Sequence, residues 1–188
     1  MEEDLRWWLN QLQLEFLGLQ ITQPPPLDES TVLYVDASTS WGIGLILNNR
    51  WLAWELKPHW AGEGCHIGWA EMVAVELALL TLITSHVNNT HIRILSDNQG
   101  VVGALKAGYS HGPAQNASLC CIVALMQEHS IWITVEWLPS ASNLTDEPSR
   151  GLFPSRDTLH PRPPKLPKEL SPYICKPVDF HDPCITTI

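Results

Sequence analysis

Two aspartates end apolar segments in which a charge is costly. Asp36 follows LYV and Asp97 follows IRILS. A carboxylate there needs a compensating partner, although either residue alone could turn into solvent or cap the next helix. Because both segments are predicted strands, we expect the two carboxylates to converge at one end of a sheet.

Two glutamates lie in WAEMVAVELAL, a segment that is apolar on almost every side when drawn as a helix. The buried carboxylates of Glu71 and Glu76 must each find a partner, a metal ion or water. Five positions along a helix correspond to roughly 140° of rotation, so the two side chains cannot face one site. One of them is predicted to be catalytic, and the other to be satisfied elsewhere.

A fourth acidic residue, Asp146, lies in the polar segment SASNLTDEPSRG. Taken alone, such an aspartate is ordinarily a solvated loop residue. Four carboxylates that meet at one place form a set of hard oxygen ligands. Here they would come from the first strand, the long helix, a later strand and this segment. Such a set suits Mg²⁺, with Mn²⁺ as a substitute, rather than zinc.

The elements that must position these residues follow the order β-β-β-α-β-α-α-β-α. TVLYVDAS, GIGLILNN and RWLAWELK predict three antiparallel strands, and HIRILSD and IWITVEWLP predict two more. A long helix is expected from about Gly68 to His86, a short one ends at Gly108, and a last one starts near Asn143 or Thr145. The fold class predicted is α/β, with a five-stranded mixed sheet flanked by helices, in which parallel additions follow the three antiparallel strands.

Segments of different composition flank this pattern. Residues 1–30 predict a short amphipathic helix, with Leu5, Trp8, Leu12 and Phe16 near helical spacing, and a linker that begins at PPP. Residues 31–151 hold the predicted domain. Residues 152–188 are rich in proline and predict an extended tail, either docked or disordered.

The composition bears on the cellular setting. Five cysteines form no CxxC pair, and no signal-peptide segment precedes them, which favours a reduced intracellular location rather than secretion. The apolar run from Ile67 to Ile83 contains two glutamates and is short for a membrane span, so it predicts a buried helix and no membrane partner.

In these motifs the sequence resembles the type 1 ribonuclease H family, most closely the ribonuclease H segment that follows reverse transcriptase in retroelement polyproteins. The resemblance covers about Thr31 to Gly151 and is carried by YVDAS, WAEMVAVELAL, ILSDNQGV and NLTDEPSRG in the family's order. It selects Glu71 over Glu76, because the family's glutamate precedes alanine by three positions and Ala-Leu by seven and eight, as here. The flanks resemble those of this domain in some polyproteins, with residues 1–30 similar to the end of the polymerase connection.

The resemblance implies a ribonuclease H-like fold and endonucleolytic hydrolysis of the RNA strand of RNA/DNA hybrids by two divalent cations. Asp36 is then expected to bridge both ions, Glu71 and Asp97 to hold the ion near the leaving group, and Asp146 to hold the ion that carries the nucleophile. The implied partners are the hybrid and a polymerase domain of the same polyprotein. Two alternatives stay open: another nuclease class on this fold, and a catalytically inactive scaffold or connection domain.

Three polar residues are predicted to contact 2′-hydroxyls of the RNA strand, namely Ser38, Asn98 and Gln99. Asn and Gln beside a strand end also form turns, so a purely local role is the alternative for the last two. The tryptophans at positions 41, 60 and 69 are predicted to be core or interface residues rather than stacking platforms.

We predict that the isolated chain binds hybrid weakly and with strong salt dependence. It carries 11 Lys and Arg against 20 Asp and Glu, and PAQNASLCCIVALMQEH has no Lys or Arg that could serve as a handle for phosphates. Titration of a labelled hybrid at several salt concentrations measures both properties. Tight binding at physiological salt would contradict the prediction.

Overall fold

The computed structural model of the protein describes residues 5, 6, 9, 24–62 and 64–179. Of the predicted N-terminal helix, Leu5, Arg6 and Leu9 are helical, whereas Trp8, Leu12 and Phe16 lie outside the described residues. Within them, element order follows the predicted pattern from the first strand to the last helix.

A mixed sheet of six strands forms the centre of the fold, in the order β5-β4-β1-β2-β3-β6. β1 pairs antiparallel with β2, β2 with β3 and β3 with β6, whereas β4 is parallel to both β1 and β5. The strands are β1 (Val32–Ala37), β2 (Gly42–Leu47), β3 (Arg50–Leu56), β4 (Thr90–Ser96), β5 (Ile131–Trp137) and β6 (Ile174–Pro177). The predicted α/β class, with parallel strands added to three antiparallel ones, is confirmed.

The predicted number of five strands was wrong by one, because β6 comes from the proline-rich segment. It is only four residues long and ends in Pro177, so it lacks the alternating pattern by which strands are recognised. It adds to the outer edge of β3, and an edge is where a sheet tolerates proline.

Within residues 24–62 and 64–179, four α-helices accompany the sheet, and their ends follow local capping chemistry. They are α1 (Ile67–Thr84), α2 (Gln99–Ala107), α3 (Pro113–His129) and α4 (Asp146–Ser149). The His66 side chain accepts a hydrogen bond from Gly68 N at the start of α1. Gly108 ends α2 in the left-handed conformation (φ 67°), as glycine does without steric cost. Thr145 precedes α4 but makes no side-chain cap.

The long apolar helix α1 is the core of one layer. Its length and composition would suit a membrane span, yet 72% of it is buried inside the protein, as in the core helix of a soluble fold. It packs against α3 and against the face of the sheet that carries Leu33, Leu45 and Ile94. The buried helix predicted from the sequence is therefore what the structure contains.

On the opposite face of the sheet, the proline-rich segment covers β2 and β3. Trp51 is only 1% exposed and stacks on Phe153, with ring centroids 5.1 Å apart and planes 4° apart. The Trp51 indole N–H donates to Ser155 O at 3.1 Å, and His160 N donates to Trp51 O at 2.9 Å. Val178 N donates to Ala53 O at 2.8 Å. The segment thus closes a second hydrophobic cluster over β2 and β3, on the face of the sheet opposite α1.

We predict that a chain ending at Gly151 is much less stable than the full chain. Loss of the proline-rich segment after Gly151 would uncover Trp51 and the outer edge of β3. Removing the partners of a packed aromatic side chain costs at least about 3 kcal/mol of folding stability. Urea unfolding measures the difference. A chain ending at Asp179 keeps every described contact of the segment and is the matched control; equal stability of the chain ending at Gly151 would contradict the prediction.

Candidate active site

Asp36 and Asp97 meet at the carboxyl ends of two adjacent parallel strands. Tyr34 of β1 is aligned with Leu95 of β4, so each aspartate lies two residues beyond an aligned pair. Glu71 reaches the same point from the first turns of α1. Ligand oxygens of Asp36, Glu71 and Asp97 all lie within 4.8 Å of one another. The convergence expected of the two strand-end aspartates is present, and it includes the glutamate.

Burial changes the acidity of this cluster. Asp36 and Glu71 are each only 5% exposed. Burial raises the pKa of Glu71 to about 9, and the nearby charges of Asp36 and Asp97 add to the effect. Burial raises the pKa of Asp36 to about 7, against a hydrogen bond from Ser149 that favours the charged form. The raised pKa values of Glu71 and Asp36 favour their protonated forms, and a bound divalent cation would displace those protons.

The cluster has the properties that a hard divalent cation requires. Glu71 Oε2 is buried and has no hydrogen-bond partner in the structure, although a buried polar oxygen is normally satisfied. Three carboxylates supply only oxygen ligands, the donor set that Mg²⁺ and Mn²⁺ prefer. The residues Asp36, Glu71 and Asp97 thus fit a divalent cation, which would be held by all three.

Asp146, the fourth predicted ligand, stands apart from this group. It lines the same cleft, but it is not among the residues whose oxygens lie within 4.8 Å of one another. Its Oδ1 accepts a hydrogen bond from Arg150 Nε at 3.0 Å and lies 2.9 Å from Arg150 Nη2. The structure therefore clusters three of the predicted ligands and pairs the fourth with an arginine at the rim.

The cleft beside the cluster has a volume of about 340 Å³. Of the three residues predicted to contact substrate, Ser38 and Asn98 line this cleft, whereas Gln99 is exposed on α2 and does not line it. Asn98 also has the local role given as its alternative, because its Oδ1 accepts from Val101 N at 3.1 Å and caps α2. The lining residues are Asp36, Ala37, Ser38, Thr39, Ile67, Glu71, Asp97, Asn98, Ser140, Asp146 and Arg150.

Sequence reasoning did not assign three side chains that orient the carboxylates. Ser149 Oγ donates to Asp36 Oδ2 at 2.5 Å, Ser140 Oγ donates to Asp97 Oδ2, and Asn143 Nδ2 donates to Asp97 Oδ1 at 3.3 Å. The NLTDEPSRG motif contains the asparagine and Ser149 and could have indicated both. Ser140 carries no such signal, since only the path of the chain after β5 brings it to Asp97.

Glu76 occupies the separate position that helix geometry predicted for one of the two glutamates. It is 5% exposed, accepts a hydrogen bond from Ser118, and lies outside the cleft lining. Burial raises its pKa to about 7, and the charge of Glu169 adds to this effect. Glu76 is a matched control for Glu71, because both are buried acids of α1.

No model of a known protein family matches the sequence, and no curated protein matches it either. Solved structures that are similar to it include RNase H1 of the archaeon Halobacterium salinarum, at 17% identity over 65% of this chain and 96% of that one, with a TM-score of 0.48. An N-terminal RNase H domain from Mycobacterium tuberculosis matches at 19% identity over 63% and 94%, with a TM-score of 0.49. LC11-RNase H1, solved with an RNA/DNA hybrid, matches at 16% identity over 63% and 92%, with a TM-score of 0.47.

We predict that Glu71→Gln stabilises the metal-free protein at pH 8 and removes its response to Mg²⁺. The folded pKa of about 9 lies above the ordinary 4.5, so the protein loses stability as pH rises from about 4.5 toward 9. The amide has no charge to desolvate, and its advantage should vanish at pH 4.5. In the wild type, bound Mg²⁺ should raise Tm.

Thermal melts with EDTA or Mg²⁺ at both pH values measure these effects. Glu76→Gln is the matched control and should keep the Mg²⁺-induced rise in Tm. A Glu71→Gln protein that responds to Mg²⁺ like the wild type would exclude Glu71 as a ligand.

Proposed function

We propose that this chain is a metal-dependent endonuclease that hydrolyses the RNA strand of RNA/DNA hybrids. The observation that carries the proposal is the convergence of Asp36, Glu71 and Asp97 at the ends of two parallel strands, with one glutamate oxygen buried and unpaired. Its motifs in the order of the type 1 ribonuclease H family support the choice of substrate. An integrase-like or exonuclease activity on the same fold is the alternative within nucleases.

The cofactor proposed is a pair of Mg²⁺ ions, for which Mn²⁺ would substitute. Asp36, Glu71 and Asp97 would hold one ion, and Asp36 with Asp146 would hold the second. When bound, such ions activate a water for in-line attack on a phosphodiester and stabilise the leaving 3′-oxygen. Phosphodiester hydrolysis of this kind leaves 5′-phosphate and 3′-hydroxyl ends.

The chain's own side chains supply orientation. The hydroxyls of Ser149 and Ser140 each donate to one carboxylate of the cluster, which fixes the direction in which the other lone pairs point. Ser38 and Asn98 line the cleft beside these carboxylates and are proposed to contact 2′-hydroxyls, the groups that distinguish RNA from DNA.

The proposed activity needs a second domain that holds the hybrid. The chain is acidic, with a net charge of −9, so its own attraction for a polyanion is small. A reverse transcriptase polymerase domain of the same retroelement polyprotein would hold the hybrid, and the whole would act inside the cell. The resemblance of both flanks to those of such polyproteins supports this part.

Cleavage of labelled substrates tests the activity directly. The wild type should cut the RNA strand of a hybrid in the presence of Mg²⁺ and leave duplex DNA and single strands intact. Asp36→Asn should lower the rate at least about 100-fold, since even groups that only orient metal ligands contribute 10- to 100-fold. Asp157→Asn, an exposed aspartate outside the cleft, should cut like the wild type.

The outcomes separate the alternatives. Equal background activity of the wild type and Asp36→Asn would favour an inactive scaffold. Cutting of duplex DNA would favour another nuclease class on the same fold.

A further inference from the structure

The cleft contains a positive charge among its carboxylates. Of the residues that line it in the described part of the chain, Arg150 is the only one with a cationic side chain, and its side chain is 54% exposed. A planar guanidinium binds carboxylates and phosphates through the same forked set of donors. Arg150 therefore stands where a nucleic-acid phosphate would approach.

Both bonds from Arg150 fall on a single oxygen of one partner. Nε and Nη2 lie 3.0 and 2.9 Å from Asp146 Oδ1, and the two residues are four positions apart across α4. A guanidinium is always protonated in proteins, so Arg150 keeps its positive charge whether it faces Asp146 or another anion. An exposed ion pair contributes little to stability because water competes for both partners, so Arg150 can exchange Asp146 for another anion at little cost.

The other carboxylates of the site are held differently. Asp36 accepts from the buried Ser149, Asp97 accepts from Ser140 and Asn143, and Glu71 is buried. The serine and asparagine side chains that donate to Asp36 and Asp97 are neutral. Of the four predicted ligands, only Asp146 is held by a charged side chain, so three ligands are fixed and one is exchangeable.

We propose that Arg150 is a substrate-contacting residue that exchanges the Asp146 carboxylate for a phosphate of the nucleic-acid backbone. The exchange releases Asp146 toward a cation at the moment when the phosphate arrives. Binding of substrate and full occupancy of the metal site are thereby coupled through one arginine. This inference rests on the proposed function, because it takes a phosphodiester as the incoming anion.

The first arm of the test titrates Mn²⁺ into the metal-free protein without nucleic acid, followed by calorimetry. Arg150→Gln should bind Mn²⁺ about fivefold more tightly than the wild type, because one nearby unit charge is removed and Asp146 is released. Arg93→Gln is the matched control: Arg93 is also paired with a carboxylate, with its Nε 3.3 Å from Glu136 Oε1, but lies outside the cleft lining. Its Mn²⁺ affinity should equal that of the wild type.

The second arm measures kcat and KM for hybrid cleavage with Mg²⁺ at two salt concentrations. Arg150→Gln should raise KM roughly tenfold. The slope of log KM against log salt concentration should also fall by about one, the value for the loss of one phosphate contact. Arg150→Lys keeps the charge without the fork and should recover part of the loss. Arg93→Gln should match the wild type.

The results separate three situations. If Arg150→Gln changes Mn²⁺ affinity but leaves KM and its salt dependence at the level of Arg93→Gln, Arg150 only holds Asp146, and the inference is overturned. If neither arm responds, the pair has no role in the site. If the wild type cleaves no hybrid, the proposed function fails. Independently of cleavage, an unchanged Mn²⁺ affinity in Arg150→Gln would overturn the inference that Arg150 keeps Asp146 from a cation.

Discussion

The structure depends on bringing like charges together in a place where water is largely excluded. Asp36, Glu71 and Asp97 converge within 4.8 Å, and the first two are almost fully buried. Burial and mutual repulsion both favour the protonated acids, as the raised pKa values of Asp36 and Glu71 show. The surrounding sheet and helix must therefore be rigid enough to hold an arrangement that is unfavourable without a compensating cation.

The layers on both faces of the sheet provide that rigidity. On one face the apolar helix α1 carries Glu71 to the strand ends; on the other face the proline-rich segment covers Trp51 and extends the sheet by one strand. The connection after β5 then folds back over the site. Its Ser140 and Ser149 donate hydrogen bonds to the aspartates, so the polar contacts that orient the ligands come from two short helical turns that follow the last long strand.

The sequence predicted the element order and the main acidic residues because both leave periodic or local signals. Strand-end aspartates after apolar runs are visible as misplaced charges, and helical rotation alone requires Glu71 and Glu76 to face different surroundings. The structure places Glu71 in the cluster and Glu76 beside Ser118. The strand β6 was missed because it is short and contains proline, and its pairing with β3 leaves no pattern in its own residues.

What the sequence determined by itself is the set of elements and the chemical type of the site: strands, an apolar helix, and acidic side chains placed where burial makes them costly. What only the tertiary structure decided is which polar groups meet. Asp146 is left out of the group formed by the other three carboxylates, Gln99 lies outside the cleft, and Ser140 reaches Asp97 from 43 positions away. Periodicity records which face of an element is buried, whereas contacts between distant segments depend on strand register and on the path of loops, which periodicity does not encode.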